Sequence, residues 1–378
     1  MEELLTTPAS EPFPYYQYLH DKKTSEKRVG IGIMAHELIP LEIIRAFKRA
    51  LVIPLVFVGP ENFSNDGGSI LTSSTCTFAR NVVGGFMADD GPRTYKDVDL
   101  FIRSSYCNGD FCGLEYLARE MHVPRIDFNI PMKSGPNSIS FFAEEILLLR
   151  ENLEKALGDS IIDDDIELQI AIHEKLRHAL AGLPDLGIHG PELLARYQEA
   201  AVLEPVDMIQ RLDWLYPEQA SPVPPPGTGS PRMLLTGDSI FVNDFFENWL
   251  DEFGADIVYY DTWIGGQMGD LHVETANGDL VTGIARSYLV NQGISRQVPA
   301  SFDRRIERLR NLISQYAIGA VINHTLKFCD FQAIGRPEFK EALGQDVPVL
   351  DIERDYSRSG LGNTKTRVEA FIEMLKEG

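Results

Sequence analysis

Four cysteines, Cys76, Cys107, Cys112 and Cys329, are the side chains of this sequence best suited to hold a soft metal. Two of them stand in matching settings. Val98-Asp-Leu-Phe-Ile-Arg-Ser-Ser-Tyr-Cys107 leads through Leu114 to Met121 into Val123-Pro-Arg-Ile-Asp127. Ile318-Gly-Ala-Val-Ile-Asn-His-Thr-Leu-Lys-Phe-Cys329 leads through a Glu/Lys stretch, Glu338 to Leu343, into Val347-Pro-Val-Leu-Asp351. Read as strand, loop, helix and Pro-led strand, each unit puts its cysteine just past the carboxyl end of a parallel strand, where open α/β sheets bind ligands. Two thiols presented alike by two halves of one chain point to a shared soft-metal site.

Cys76 lies in Thr75-Cys-Thr-Phe-Ala-Arg80, between the opening of the first half and its cysteine-bearing unit. A zinc ribbon or a ferredoxin groups its cysteines at two- or three-residue spacing, which this chain does not do, so a metal site must be assembled by the fold. Four cysteines in this length are too few for a disulfide scaffold and read as reduced thiols. Taken singly, any of them is as readily a buried apolar residue, and that is the expectation for Cys112. His36 and Glu37, after the first strand, and His324, placed in the loop leading to Cys329, are the candidate catalytic groups. Arg80 and Lys327 flank proposed ligands and could balance the charge of a reduced centre. The pair Gly265-Gly266 reads as a plain turn, and no GxxxxGK[ST] phosphate loop occurs, so any ATP hydrolysis belongs to another protein.

The elements that must position these groups alternate strand and helix. Val29-Gly-Ile-Gly-Ile-Met34, a helix from near Pro40 and Ile53-Pro-Leu-Val-Phe-Val58 make a β-α-β start. Arg232-Met-Leu-Leu-Thr-Gly237, a helix from Phe245 to Phe253 and Asp256-Ile-Val-Tyr-Tyr260 repeat it. Between them Phe141, Ile146, Leu149, Leu153 and Leu157 recur at helical steps. The expected organisation is an N-terminal extension (1–28), which wraps a partner surface or stays mobile, a first α/β domain (29–137), a helical segment (138–220), a Pro-rich linker (221–231) and a second α/β domain (232–378). The fold class is α/β: two flavodoxin- or Rossmann-like parallel-sheet domains related by internal duplication.

At 378 residues and 44% hydrophobic content the chain has enough length for two such domains. A net charge of −21 argues against nucleic acid and anionic membrane surfaces as partners. No apolar run approaches the roughly 20 residues of a membrane span, and Met1-Glu-Glu-Leu-Leu lacks a signal-peptide pattern, so the expected location is the cytoplasm.

Several motifs resemble one family, the subunits of 2-hydroxyacyl-CoA dehydratases and benzoyl-CoA reductases. They are Lys327-Phe-Cys-Asp330, Pro348-Val-Leu-Asp-Ile-Glu-Arg-Asp355 and Thr366-Arg-Val-Glu-Ala-Phe-Ile-Glu-Met-Leu375, with weaker matches at Pro40-Leu-Glu-Ile-Ile44, the Cys76 segment, Cys107-Asn108 (often Cys-Asp in the family) and Leu235-Thr-Gly237. The resemblance runs from about Val29 to the C-terminus. It implies that Cys76, Cys107 and Cys329 hold an iron–sulfur cluster between the two halves, a 4Fe-4S cubane or, in some homodimeric members, an 8Fe-9S double cubane. It also implies a homologous second subunit, identical or not, and a separate ATP-hydrolysing iron–sulfur activator that delivers low-potential electrons. The substrate would be an acyl-CoA thioester, whose carbonyl becomes a ketyl radical and expels the 2-hydroxyl group. Alternatives carried by the same resemblance are an oxygen-sensitive double-cubane reductase of small molecules and a non-catalytic electron-relay subunit. Where the family has a small Ala-Gly stretch, this chain has Arg45-Ala-Phe-Lys-Arg-Ala-Leu51, expected as a bulkier helix that reshapes the acyl-CoA pocket.

Overall fold

The computed structural model describes residues 2–34, 36, 38–217, 231–274, 279–291 and 302–377. Residues 221–230 of the expected Pro-rich linker, and Glu37, lie outside the described residues. Two sheets form the frame. Strands β1 (Val29–Ile33), β2 (Ala50–Pro54), β3 (Leu100–Ser104) and β4 (Arg125–Phe128) run parallel in the order β2-β1-β3-β4. Strands β5 (Arg232–Gly237), β6 (Asp256–Asp261), β7 (Ala320–Leu326) and β8 (Val349–Arg354) run parallel in the order β6-β5-β7-β8. The second order is the first shifted by four, as the α/β duplication expected from the sequence requires. Helices cover both faces of such sheets, so β2, β3 and β7 are buried along their whole length: β2 is a continuous apolar run, while β3 and β7 begin apolar and carry buried polar residues, Arg103-Ser104 and Asn323-His-Thr325, toward their carboxyl ends.

Helices α1 (Glu2–Leu5) and α2 (Tyr15–Glu26) precede the first sheet. The N-terminal extension is therefore folded against this chain, not mobile: Tyr18 and Leu19 are fully buried, and the Tyr18 hydroxyl donates to Asp207 at 2.5 Å. Its sequence hides this because its apolar residues follow no helical period. Helix α3 (Leu41–Ala46) ends before the expected Arg45–Leu51 stretch is spanned, and the chain enters β2 at Ala50, three residues before the predicted strand. Pro54 sets that register. Lacking an N–H, it fits the last ladder position, and the amide of Leu55 donates to Ile33 instead.

Helices α4 (Glu61–Ile70) and α5 (Thr77–Met87) form a tight hairpin. A Cβ on Gly84 would stand 1.9 Å from the carbonyl oxygen of Phe63, so only glycine permits this approach. Helix α6 (Asn108–Glu120) joins β3 to β4. Then α7 (Pro136–Leu157), α8 (Asp163–Ala181), α9 (Gly190–Val202) and α10 (Pro205–Leu215) build the helical excursion. Ile146, Leu149, Leu153 and Leu157 are buried as their spacing predicts, but Phe142 takes the core position and Phe141 faces outward. The second half adds α11 (Phe246–Glu252), α12 (Leu280–Arg286), which packs back on α7 beside the first sheet, α13 (Phe302–Gln315), α14 (Asp330–Ala333), α15 (Arg336–Leu343) and α16 (Leu361–Glu377).

The halves share a core. Phe57 and Val242 form a parallel bridge, with the Val58 amide donating to the Val242 carbonyl and the Val242 amide to Val56. Phe78 stacks on Phe241 with centroids 3.9 Å apart and planes 14° off parallel. Among the described helices none is long and apolar enough to cross a membrane.

Candidate functional site

A cavity of about 650 Å³ opens at the carboxyl ends of strands from both sheets and is lined by all four cysteines. Three of the thiols are presented in one way. Cys76 caps α5, Cys107 caps α6 and Cys329 caps α14, each occupying the residue before the first helical turn. A helix N-terminus carries unpaired N–H groups and partial positive charge, which favours thiolate and any anionic group the thiolates hold. The amide of Thr77 donates to the carbonyl of Lys327 at 3.1 Å, so the Cys76 helix is tied to the loop that carries Cys329.

On the first-sheet side, His36 Nε2 lies 2.7 Å from Asp110 Oδ2, and its ring meets Phe78 and Trp263 edge-on. His36 Nδ1 is buried and has no hydrogen-bond partner among the described residues. One ligand atom each from His36, Cys107 and Asp110 fall within 4.8 Å of one another, a mixed N, S and O set that could hold a metal ion.

On the second-sheet side, the Cys329 thiol donates to Asp238 Oδ1 at 3.2 Å, and Asp238 Oδ2 accepts the Leu326 amide at 2.6 Å. Burial pushes the Asp238 carboxyl up to about 6. The neighbouring Cys76, burial and Asp238 together push the Cys329 thiol well up. Gly237, at φ +107°, makes this turn possible, since a Cβ there would meet the His324 carbonyl oxygen at 2.0 Å.

His324 stands on β7, not in the loop expected for it, and does not line the cavity. Its Nδ1 is 2.8 Å from the Asp238 carbonyl, its Nε2 accepts from Arg354 at 2.9 Å and its ring stacks on Phe246. Those contacts brace the Asp238 turn from behind. Burial, with Arg354 beside it, pulls its pKa well down, so the ring is neutral. Arg80 also stands off the cavity, its guanidinium 5.9 Å from the Phe328 ring. Lys327 gives its charge to Asp355 at 2.7 Å. Asn108 lines the cavity as the first residue of α6. Cys112 is exposed where a buried thiol was expected, because it lies four residues after Asn108 and shares that helix face toward the cavity.

Two site residues escaped the sequence reading. Asp110 follows Cys107 at i+3, a spacing that puts both on one side of a helix start. Asp238 directly follows the Leu235-Thr-Gly237 motif at a strand end.

Sequence comparison places these residues in a family context. The chain is 26% identical over 357 residues to the putative dehydratase subunit YjiM of Escherichia coli (strain K12), covering 89% of each chain. It is 24% identical over 312 residues to the lactoyl-CoA dehydratase subunit beta of Anaerotignum propionicum, covering 79% of this chain and 80% of that one. A family model, 2-hydroxyglutaryl-CoA dehydratase, D-component, matches residues 38–375, which contain Cys76, Cys107 and Cys329 and both sheets almost entirely. The chain therefore belongs to the 2-hydroxyglutaryl-CoA dehydratase D-component family.

Proposed function

We propose that this chain is the iron–sulfur subunit of a 2-hydroxyacyl-CoA dehydratase-type enzyme, with Cys76, Cys107 and Cys329 as the cluster ligands. The observation that carries the reading is the convergence of three helix-capping thiols, from both halves, on one cavity. Soft thiolates at the positive ends of helices fit an anionic iron–sulfur group. Such a cluster supplies low-potential electrons at an iron left without a protein ligand.

The protein's own groups have distinct parts. His36, held through Nε2 by Asp110, keeps Nδ1 as the ring's remaining proton-exchanging atom. Phe78 and Trp263 fix that ring edge-on and limit water beside it. Asp238 holds the Cys329 loop in place through the Leu326 amide. Glu37 stays a candidate catalytic group beside His36 in the sequence, and His324 acts through the Asp238 turn. Electrons would come from a separate ATP-hydrolysing activator, the substrate would be an acyl-CoA thioester, and a homologous second subunit would complete the enzyme in the cytoplasm.

A second reading has its own observation: the His36, Cys107 and Asp110 set suits a single zinc ion. Iron and acid-labile sulfide, measured with electron paramagnetic resonance on protein purified without oxygen, separate the two. About four irons per chain with matching sulfide, lost in Cys329→Ser, is the expected result. Zinc without sulfide, retained in Cys329→Ser, would replace the cluster with the mononuclear site. An acyl-CoA titration that changes the cluster's spectrum then favours a catalytic subunit over an electron relay. Turnover of small unsaturated molecules without CoA would mark a double-cubane reductase.

A further inference from the structure

We infer that Arg45 builds a separate binding pocket for a small carboxylate. Trp263, which lines the thiol cavity, also lines a second cavity of about 110 Å³. Its walls are mostly aliphatic, from Leu176, Leu180 and Leu271, and its polar groups are Arg45, His173, Arg177, Gln267 and Tyr288.

The charges in this pocket are paired unevenly, with Glu204 and Glu42 acting on Arg45 only at longer range than an ion pair. Arg177 pairs with the fully buried Glu42 and, at 3.1 Å, with Glu174. Glu42 also accepts from the Tyr288 hydroxyl at 2.7 Å, so its oxygens are taken. Arg45 has no such partner: among the described residues no carboxylate stands within 4.0 Å of it. Its Nη1 lies 3.0 Å from His173 Nε2, and its Nε is buried without a hydrogen-bond partner.

His173 stands beside Arg45 without a charge of its own. Its Nδ1 is 2.7 Å from the carbonyl of Gln169, which fixes the proton there and leaves Nε2 as the lone pair that accepts from Arg45. The ring is therefore neutral and serves to orient the guanidinium. A half-buried cation whose buried Nε–H has no partner, aimed by a neutral histidine inside an aliphatic cavity, matches a carboxylate on a short apolar stem. The planar guanidinium fork takes two carboxylate oxygens side by side. Two sources share this chemistry, a free short-chain carboxylate and the distal carboxylate of an acyl group seated in the thiol cavity across Trp263.

The pocket stands apart from the cluster assignment and is tested by binding alone. Isothermal titration calorimetry of the full chain as isolated, in chloride-free buffer, would use propionate and its uncharged isostere propionamide. The expected result is binding of propionate at millimolar concentration or tighter, at least tenfold stronger than propionamide, and at least tenfold weaker in Arg45→Met that retains the wild-type circular dichroism. That result assigns a free carboxylate. Should propionate fail while S-glutaryl-N-acetylcysteamine binds at least tenfold better than its butyryl analogue, again only with Arg45 present, the ligand is the tail of a longer acyl group. Propionate and propionamide binding alike, or no Arg45-dependent binding by any of these probes, would overturn the inference.

Discussion

Cys107 and Cys329 occupy the same place in two sheets of the same strand order, yet their surroundings differ. Cys107 heads a helix of 13 residues and sits with an imidazole and the buried Asp110 carboxylate, while Cys329 heads one of 4 residues and sits against the Asp238 carboxylate and a second thiol. The strand-end supports differ too. In the first sheet Arg103 reaches Asp127 and Glu115, both partly exposed, whereas in the second Arg354 is buried with Asp244 and His324. Topology decides where a thiol emerges, and a few loop residues decide its charge environment. A duplicated frame can thus hold one site with two unlike sides.

The sharpest way to break the comparison is to remove one thiol at a time. With a shared cluster, Cys107→Ser and Cys329→Ser each abolish essentially all bound iron and sulfide, despite their unlike surroundings. Loss in Cys107→Ser alone, with metal kept in Cys329→Ser, would split the site and favour the first-half metal set.

Next in size is the seam between the halves. Phe78, fully packed on Phe241, should cost about 3–5 kcal/mol as Phe78→Ala in denaturant unfolding. A single cooperative transition shifted as a whole would mean that the halves unfold together, and two separated transitions would mean that they do not.

The strand-end supports give a paired test. Arg354→Met leaves Asp244 buried and unpaired and should destabilise by about 3–5 kcal/mol. Arg103→Met, whose partners keep solvent contact, should cost about 1 kcal/mol or less. Equal losses by chemical denaturation would show that burial does not distinguish the two.

The smallest effect is a slope. Burial holds His173 neutral down to about 4, while in the unfolded chain it takes up a proton near the ordinary histidine value of 6.5. Because the unfolded state then binds more protons, stability falls as pH drops from about 6.5 toward 4, by at most about 1.4 kcal/mol per pH unit for this group. His324 acts in the same direction. His173→Gln should flatten the unfolding slope in that window, and an unchanged slope would mean that the histidine is solvated.

Much of the frame was legible because parallel strands buried on both faces are mostly apolar, as Leu100-Phe-Ile102 and Ala320-Val-Ile322 are at the starts of β3 and β7. Less was legible at β2, expected over Ile53 to Val58 but running Ala50–Pro54, because the ladder position of Pro54 depends on its pairing with β1. The N-terminal helices escaped because Tyr18 and Leu19 are buried by helices far along the chain, not by a periodic face of their own. Cys76, Cys107 and Cys329 were legible as candidates through their motifs, whereas Asp110 and Asp238 matter only because of what lies across the cavity from them.

By itself the sequence determined the alternation of strand and helix, the repeated unit and the two cysteines, Cys107 and Cys329, placed beyond strand ends, since each depends on local periodicity and on neighbouring residues. Only the tertiary structure decided that these thiols share a cavity, that His324 is a brace outside it, and that Arg45 is left without an ion-pair partner among the described residues. Those outcomes depend on distances between segments from thirty to more than two hundred residues apart in the chain, which no local pattern encodes.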